Sequence, residues 1–258
     1  NYEEPKEGSK IVNTTAYAEA AVNYNRTFDE KHNVSALLIT IMRNYLNGNA
    51  GNLQASLPFR NQGLSGRFTY GYDNRYLLEA NFGYNGSERF AKKQRFGFFP
   101  SIGIAWNVNN ESFFKPIGAI ITRLKLRATY GLVGNDQIGK PEDRFFYLSD
   151  VNLNNKDRTA FFGEDYGYSR PGVSIGRYAN DYITWEKANT SNIGLDISIL
   201  NSLNVVVDMY KQRRSNILME RVYIPTTMGL EPKISANVGE AEGKGVDFAM
   251  DFNKNFRR

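Results

Sequence analysis

The chain reads as an all-β protein, an antiparallel transmembrane β-barrel segment rather than a soluble domain, on three observations. Long segments alternate apolar and polar residues with period two, the links between them alternate short and long, and aromatic residues collect near segment ends. The composition agrees: 16 Tyr and 17 Phe against 2 Trp favour strands and membrane interfaces over helices. No apolar run approaches the roughly 18 residues a membrane helix needs, so any crossing of a bilayer must be made by strands.

Period two places nine strands, at about 11 to 25, 33 to 44, 63 to 72, 76 to 85, 97 to 108, 122 to 133, 190 to 200, 203 to 213 and 244 to 254. Most exceed the 5 or 6 residues typical of soluble strands and suit the roughly 9 to 11 a tilted membrane strand requires. In "LSGRFTYGY", Leu64, Phe68, Tyr70 and Tyr72 oppose Ser65, Arg67, Thr69 and Gly71. In "YLLEANFGY", Tyr76, Leu78, Ala80, Phe82 and Tyr84 oppose Leu77, Glu79, Asn81 and Gly83. "FPSIGIAWNV" sets Ile102, Ile104, Trp106 and Val108 against Ser101, Gly103, Ala105 and Asn107. "TRLKLRATYGL" sets Leu124, Leu126, Ala128, Tyr130 and Leu132 against Arg123, Lys125, Arg127, Thr129 and Gly131. The last three strands carry Asp196, Asp208, Asp247 and Asp251 on the lane opposite their Ile, Leu, Val, Phe and Met residues.

A Lys or Arg facing lipid near the midplane costs about 2 to 4 kcal/mol. The charged lane must therefore face water or partner charges, and Arg67, Glu79, Asn81, Arg123, Lys125, Arg127, Asp196, Asp208 and Asp247 are expected to face a lumen. Phe68, Tyr70, Tyr76, Leu78, Phe82, Tyr84, Ile102, Ile104, Trp106, Leu126 and Tyr130 are expected to face lipid or its interfaces, with Tyr24, Tyr72 and Tyr210 in the same aromatic belts. Links 26 to 32, 73 to 75, 109 to 121 and 201 to 202 are short or moderate. Links 45 to 62, 86 to 96, 134 to 189 and 214 to 243 are mostly long. That asymmetry matches outer-membrane barrels, with trimmed periplasmic turns and elaborated external loops. A soluble β-sandwich that binds carbohydrate or protein is the rival reading, in which the apolar lane is a core; a passive porin is a second.

Several functions are excluded. The net charge of +5 comes from scattered Lys and Arg, with no basic patch for nucleic acid. There is no cysteine, hence no disulfide or thiolate metal site. No nucleotide, nucleophile-elbow or HExxH motif is present, so neither cofactor, metal nor catalytic residue is expected. His32, in "FDEKHN", reads as a solvated turn residue, and the adjacent Glu164 and Asp165 as solvated loop carboxylates rather than a glycosidase pair.

The run from Gly66 to Lys115 resembles the barrel of the SusC/RagA family of TonB-dependent outer-membrane transporters of Bacteroidetes. It has the turn Asp73-Asn74-Arg75-Tyr76, then Gly86, Ser87, Arg89 and Phe90, then "GFFPS", the "AW" strand and "ESF". Collinear matches follow in "LKLRATYGLVGN", "WEKANTSNIGLD", "IPTTMG" and "NVGEAEGKGVDF", departing at Gly243, where Asn is usual, and Asp247, where Glu is usual. The resemblance implies a barrel of about 22 strands around a plug, a SusD-like surface lipoprotein, energy from TonB, and import of an oligosaccharide or peptide across the outer membrane. Nothing here resembles a plug, TonB box or N-terminal extension, and "DFNKNFRR" is not the closing aromatic strand. Residues 1–258 are accordingly expected to be an internal piece of the barrel domain.

Overall fold

The computed structural model describes residues 12–48, 56–138 and 145–253. The first expected strand's Ile11 and the last one's Lys254, with "DFNKNFRR" beyond Asn253, lie outside the described residues.

Among the described residues eleven strands follow in chain order: β1 (Asn13–Phe28), β2 (His32–Asn47), β3 (Phe59–Tyr72), β4 (Tyr76–Ser87), β5 (Phe96–Asn107), β6 (Ile121–Asn135), β7 (Asp150–Phe162), β8 (Tyr168–Arg177), β9 (Glu186–Ile199), β10 (Leu203–Glu220) and β11 (Ser235–Phe252). Nine form one antiparallel sheet in the order β1-β2-β3-β4-β5-β6-β9-β10-β11, and these are the nine read from the sequence. Among the described residues no second sheet covers its apolar face: Ile104 is 57% exposed and Phe248 65%. The sandwich reading is thereby set aside.

The register keeps the two lanes apart across the whole sheet. Phe68 pairs with Ala80, Ala80 with Ile102 and Ile102 with Tyr130, while Arg67 pairs with Asn81, Asn81 with Ser101 and Ser101 with Gly131. The strands meet at one end in turns 29–31, 73–75 and 200–202 and the link 108–120, and at the other in 48–58, 88–95, 136–185 and 221–234. Each three-residue turn starts with two residues of positive φ, Asp29 and Glu30, Asp73 and Asn74, Leu200 and Asn201. Asp and Asn tolerate that left-handed region better than most side chains.

The sequence reading missed β7 and β8, a separate hairpin inside the stretch 134 to 189. Its first strand, "DVNLNNKDRTAFF", is polar on both lanes and nearly all exposed, and the pairing slips three times along its length. Its residues carry no sustained period of two.

Candidate functional site

The polar face carries a concavity of about 820 Å³ reaching across the strands from β1 to β9. Its floor on β5 is Ser101, Gly103 and Ala105, residues too small to fill the space above them. Of the groups singled out from the sequence, Glu79, Asn81, Lys125 and Arg127 line it, and ion pairs join Arg67, Asp196 and Asp208 to them. On one side Arg67 pairs with Glu79 at 2.9 Å, and Asn81 Nδ2 donates to the other Glu79 oxygen at 2.9 Å. On the other, Arg127 donates to Asp196 at 3.2 Å and to Asp208 at 2.5 Å, and Arg123 lies 3.6 Å from Asp196.

The second network depends on a glycine. Gly194 lies between Arg127 and Asp208 in the pairing register, and a Cβ there would fall 2.5 Å from Arg127 Cζ and 2.7 Å from Asp208 Oδ1. Only a bare backbone lets the guanidinium cross from β6 to β10. Asp208 also faces Asp247 directly across β10 and β11, a like-charge pair that Arg127 partly offsets. Asp208 Oδ1 itself has no hydrogen-bond partner. Lys125 sits opposite Asp196 and lines the concavity, without an ion pair among the described residues.

The apolar face ends in two aromatic rows. At the turn end, Tyr72, Tyr76 and Trp106 stack in series at 6.4 Å spacings, with His32 5.0 Å from Tyr72. At the loop end, Tyr84 stacks on Phe96 at 5.1 Å and Phe82 lies 6.0 Å from Phe98. Tyr76 and Tyr84 are about 27 Å apart along β4, or about 21 Å of height at a tilt of about 40°, near the ~25 Å apolar band of outer-membrane barrels. Phe68, Tyr70, Leu78, Ile102, Ile104, Leu126 and Tyr130 lie on this same face, between or beside the two rows.

Two expectations are corrected. His32 opens β2, half-buried, with Nδ1 2.8 Å from the Tyr70 hydroxyl, so it belongs to the aromatic row and not to a solvated turn. Tyr210 pairs with Asn192 and Gly245 on the polar face, two residues on from Asp208 in the same lane, and, because β10 runs on to Glu220, it is a mid-strand and not an end position. Glu164 and Asp165 are exposed, as read.

At the turn end a carboxylate is built into the aromatic row. Glu111 is buried and accepts from the Tyr76 hydroxyl at 2.7 Å, from Trp106 Nε1 at 3.0 Å and from Arg75 at 3.3 Å. The Tyr76 hydrogen bond, then that of Trp106, holds the Glu111 carboxyl below the usual carboxylate range.

At the loop end, residues distant in sequence close a small core that sequence reasoning did not assemble. Phe90, Ile138, Phe146, Ile183 and Trp185 are buried together, with Phe99 and Leu218 packed against them. Trp185 lies 5.2 Å from Phe90 and 5.1 Å from Phe99, and Arg89 caps the Ile138 carbonyl at 2.6 Å. Gly134 must lack a Cβ because the Phe99 ring occupies its place, 1.9 Å from where that atom would stand. Asn237 ties the core to β11 by accepting from the Thr184 N–H and donating to the Thr184 carbonyl, both at 2.9 Å. Above it, Glu231 joins the hairpin to the last loop, accepting from Arg158 and, at 2.7 Å, from the Ile175 N–H. The Ile175 contact, then that of Arg158, keeps its carboxyl below the ordinary value.

A single meandering sheet with one ion-paired face, one greasy face and one elaborated end defines a wall of an outer-membrane barrel. The TonB dependent receptor-like, beta-barrel family matches residues 8–257, and the chain belongs to that family. It is 34% identical over 188 residues to the TonB-dependent receptor SusC of Bacteroides thetaiotaomicron, covering 72% of this chain and 18% of that protein. It is 32% identical over 253 residues to the TonB-dependent receptor P39 of Formosa agariphila, covering 88% and 23%. The structure of the RagAB peptide importer in its closed-closed state matches with a TM-score of 0.72 at 23% identity, over 96% of this chain and 28% of that one, a likeness of fold. The siderophore receptor PirA of Pseudomonas aeruginosa shares the fold more distantly, at a TM-score of 0.54 and 8% identity over 92% of this chain and 39% of its own. The chain thus spans 18% and 23% of the two curated relatives. It is barrel wall of a SusC/RagA-type receptor in a Gram-negative outer membrane, from a family of transporters and not of enzymes.

Proposed function

We propose that this segment forms part of the lumen wall and external mouth of a nutrient importer. The whole receptor takes up an oligosaccharide or peptide, captured with a SusD-like surface lipoprotein and driven through by TonB acting on a plug. The observation that carries the reading is the division of the sheet: the Arg67–Glu79 and Arg127–Asp196–Asp208 networks share one face, and the residues from Phe68 to Tyr130 named above share the other. The charged face borders the passage and the plug, where water and partner charges meet it, and the apolar face meets outer-membrane lipid. The loop-end hairpin, with Phe161, Phe162 and Tyr166 exposed, is the part placed to touch cargo or the lipoprotein.

Spin labels at Gly103 and Ile104 in the full-length receptor in lipid test this. Oxygen, which partitions into lipid, should reach position 104, and a water-soluble nickel chelate should favour 103. Equal shielding of both positions would mean that the apolar face is covered by protein, and the assignment of faces would fall.

A further inference from the structure

The link 108–120, between β5 and β6, is more than a turn. Residues 108–110 and 112–114 form 3-10 turns, and helical bonding continues from Ile117 N–H to the Phe114 carbonyl and from Ile121 N–H to the Ile117 carbonyl, both at 3.0 Å. Such winding sorts residues onto faces. Val108, Glu111 and Phe114, three apart, are all buried. Phe113, Ile117 and Ile120, on the same link, are left 64%, 48% and 59% exposed.

Glu111 fixes where the link lies. Its partners Tyr76 and Trp106 belong to the apolar face of the sheet, so the link folds back over that face at the turn end. Asn110 and Asn107 pin it further, both donating to the Asn74 carbonyl, at 2.9 and 2.7 Å. Phe113, Ile117 and Ile120 are therefore exposed on a link tied down just beyond the aromatic row that ends the apolar band. Three large apolar side chains exposed within eight residues, on a link attached to the aromatic row, suit the headgroup region better than water.

We infer that this link is an interfacial anchor, seated in the headgroup and upper acyl region of the phospholipid leaflet at the turn end of the barrel. The occupant is phospholipid, for two reasons on the molecule: Glu111 ties the link directly to Tyr76 and Trp106 of the aromatic row, and Lys115, exposed between Phe113 and Ile117, brings a cation to the level of the phosphates. Glu111 is the positioning residue: hydrogen-bonded to Tyr76, Trp106 and Arg75, it locks the winding to the wall. The inference rests on the reading that the apolar face of the sheet meets lipid.

The test places a fluorescent label, one per variant, at F113C, I117C or I104C in the full-length receptor, reconstituted in phosphatidylethanolamine-rich vesicles. The acyl chains are brominated either near the carbonyl end or near the chain terminus. Labels at 113 and 117 should be quenched more by the shallow bromines than by the deep ones and be shielded from aqueous iodide, while the label at 104 is quenched by the deep bromines. If 104 is quenched by lipid but 113 and 117 only by iodide, the link lies in water and the anchor is refuted while the lipid face stands. If 113 and 117 are shielded from both quenchers, protein covers them, a second copy or another partner, and phospholipid is the wrong occupant. If 104 escapes lipid quenching, the reading of the apolar face fails first.

Discussion

Phe90 is the residue on which the loop-end core turns, and replacing it with alanine has a calculable consequence. Its side chain is 0% exposed, and its ring lies 5.2 Å from Trp185, which in turn packs on Phe99. Deleting a buried phenyl ring costs about 3 to 5 kcal/mol, the spread depending on how far the site collapses. Collapse is limited here, because Trp185 is held by its indole N–H donating to the Arg95 carbonyl and by Phe99 on its other side. The cost falls on the unit the core closes, residues 145–185 with the 88–95 loop, and not on the sheet, whose strands are held by their own ladders. At the low end, about 3 kcal/mol corresponds to a roughly 150-fold larger population of the opened loop unit. Hydrogen exchange on the full-length receptor in detergent reads this directly: amides of residues 145–185 should exchange faster by that order, while β3 to β6 keep their protection. F90L, which keeps most of the volume, should cost under about 1.5 kcal/mol. Unchanged exchange in the loop unit, or equal loss across the sheet, would refute the view that Phe90 closes a local core.

Two further outcomes follow from the charged groups. R127M leaves Asp208 with no ion partner beside Asp247, and should destabilise by about 2 to 4 kcal/mol, below the range for fully buried pairs because these side chains remain 19% to 29% exposed. Adding D208N to that variant should recover part of the loss, measured as the thermal midpoint in detergent; no recovery would mean that the guanidinium acts by packing alone. At Glu111 the sign follows from a carboxyl held below its ordinary value of 4.5. Its ionised form is favoured by the fold, so its contribution is complete above the ordinary value and lost as pH falls through the lowered one. The gap in thermal midpoint between the native protein and E111Q should therefore be widest near neutrality and narrow in acid, and a gap constant with pH would show that the charge on Glu111 is irrelevant.

What was readable in the sequence and what was not divides along a physical line. Strand lanes were readable because side chains alternate with period two, so "LSGRFTYGY" states on its own that Arg67 and Phe68 face opposite ways. Residue 210 stands on the polar lane by the same rule, two residues after Asp208, and only its position along the strand needed more than the local pattern. Asn216 takes a positive φ of 57°, the register shifts between Arg214 and Ile217, and the alternation that would have revealed a strand reaching Glu220 is lost. Contacts made across strands were out of reach for a different reason. Arg127 meets Asp208 only because β9 lies between β6 and β10, with Gly194 at the crossing, and neither residue says so alone. The same holds for Phe90, Phe99 and Trp185, which the sequence offers as pieces of separate motifs. Their common core supplies the reason those motifs occur together. The exposed loop-end hairpin needs a packed base, and this aromatic cluster provides one from residues outside the charged concavity.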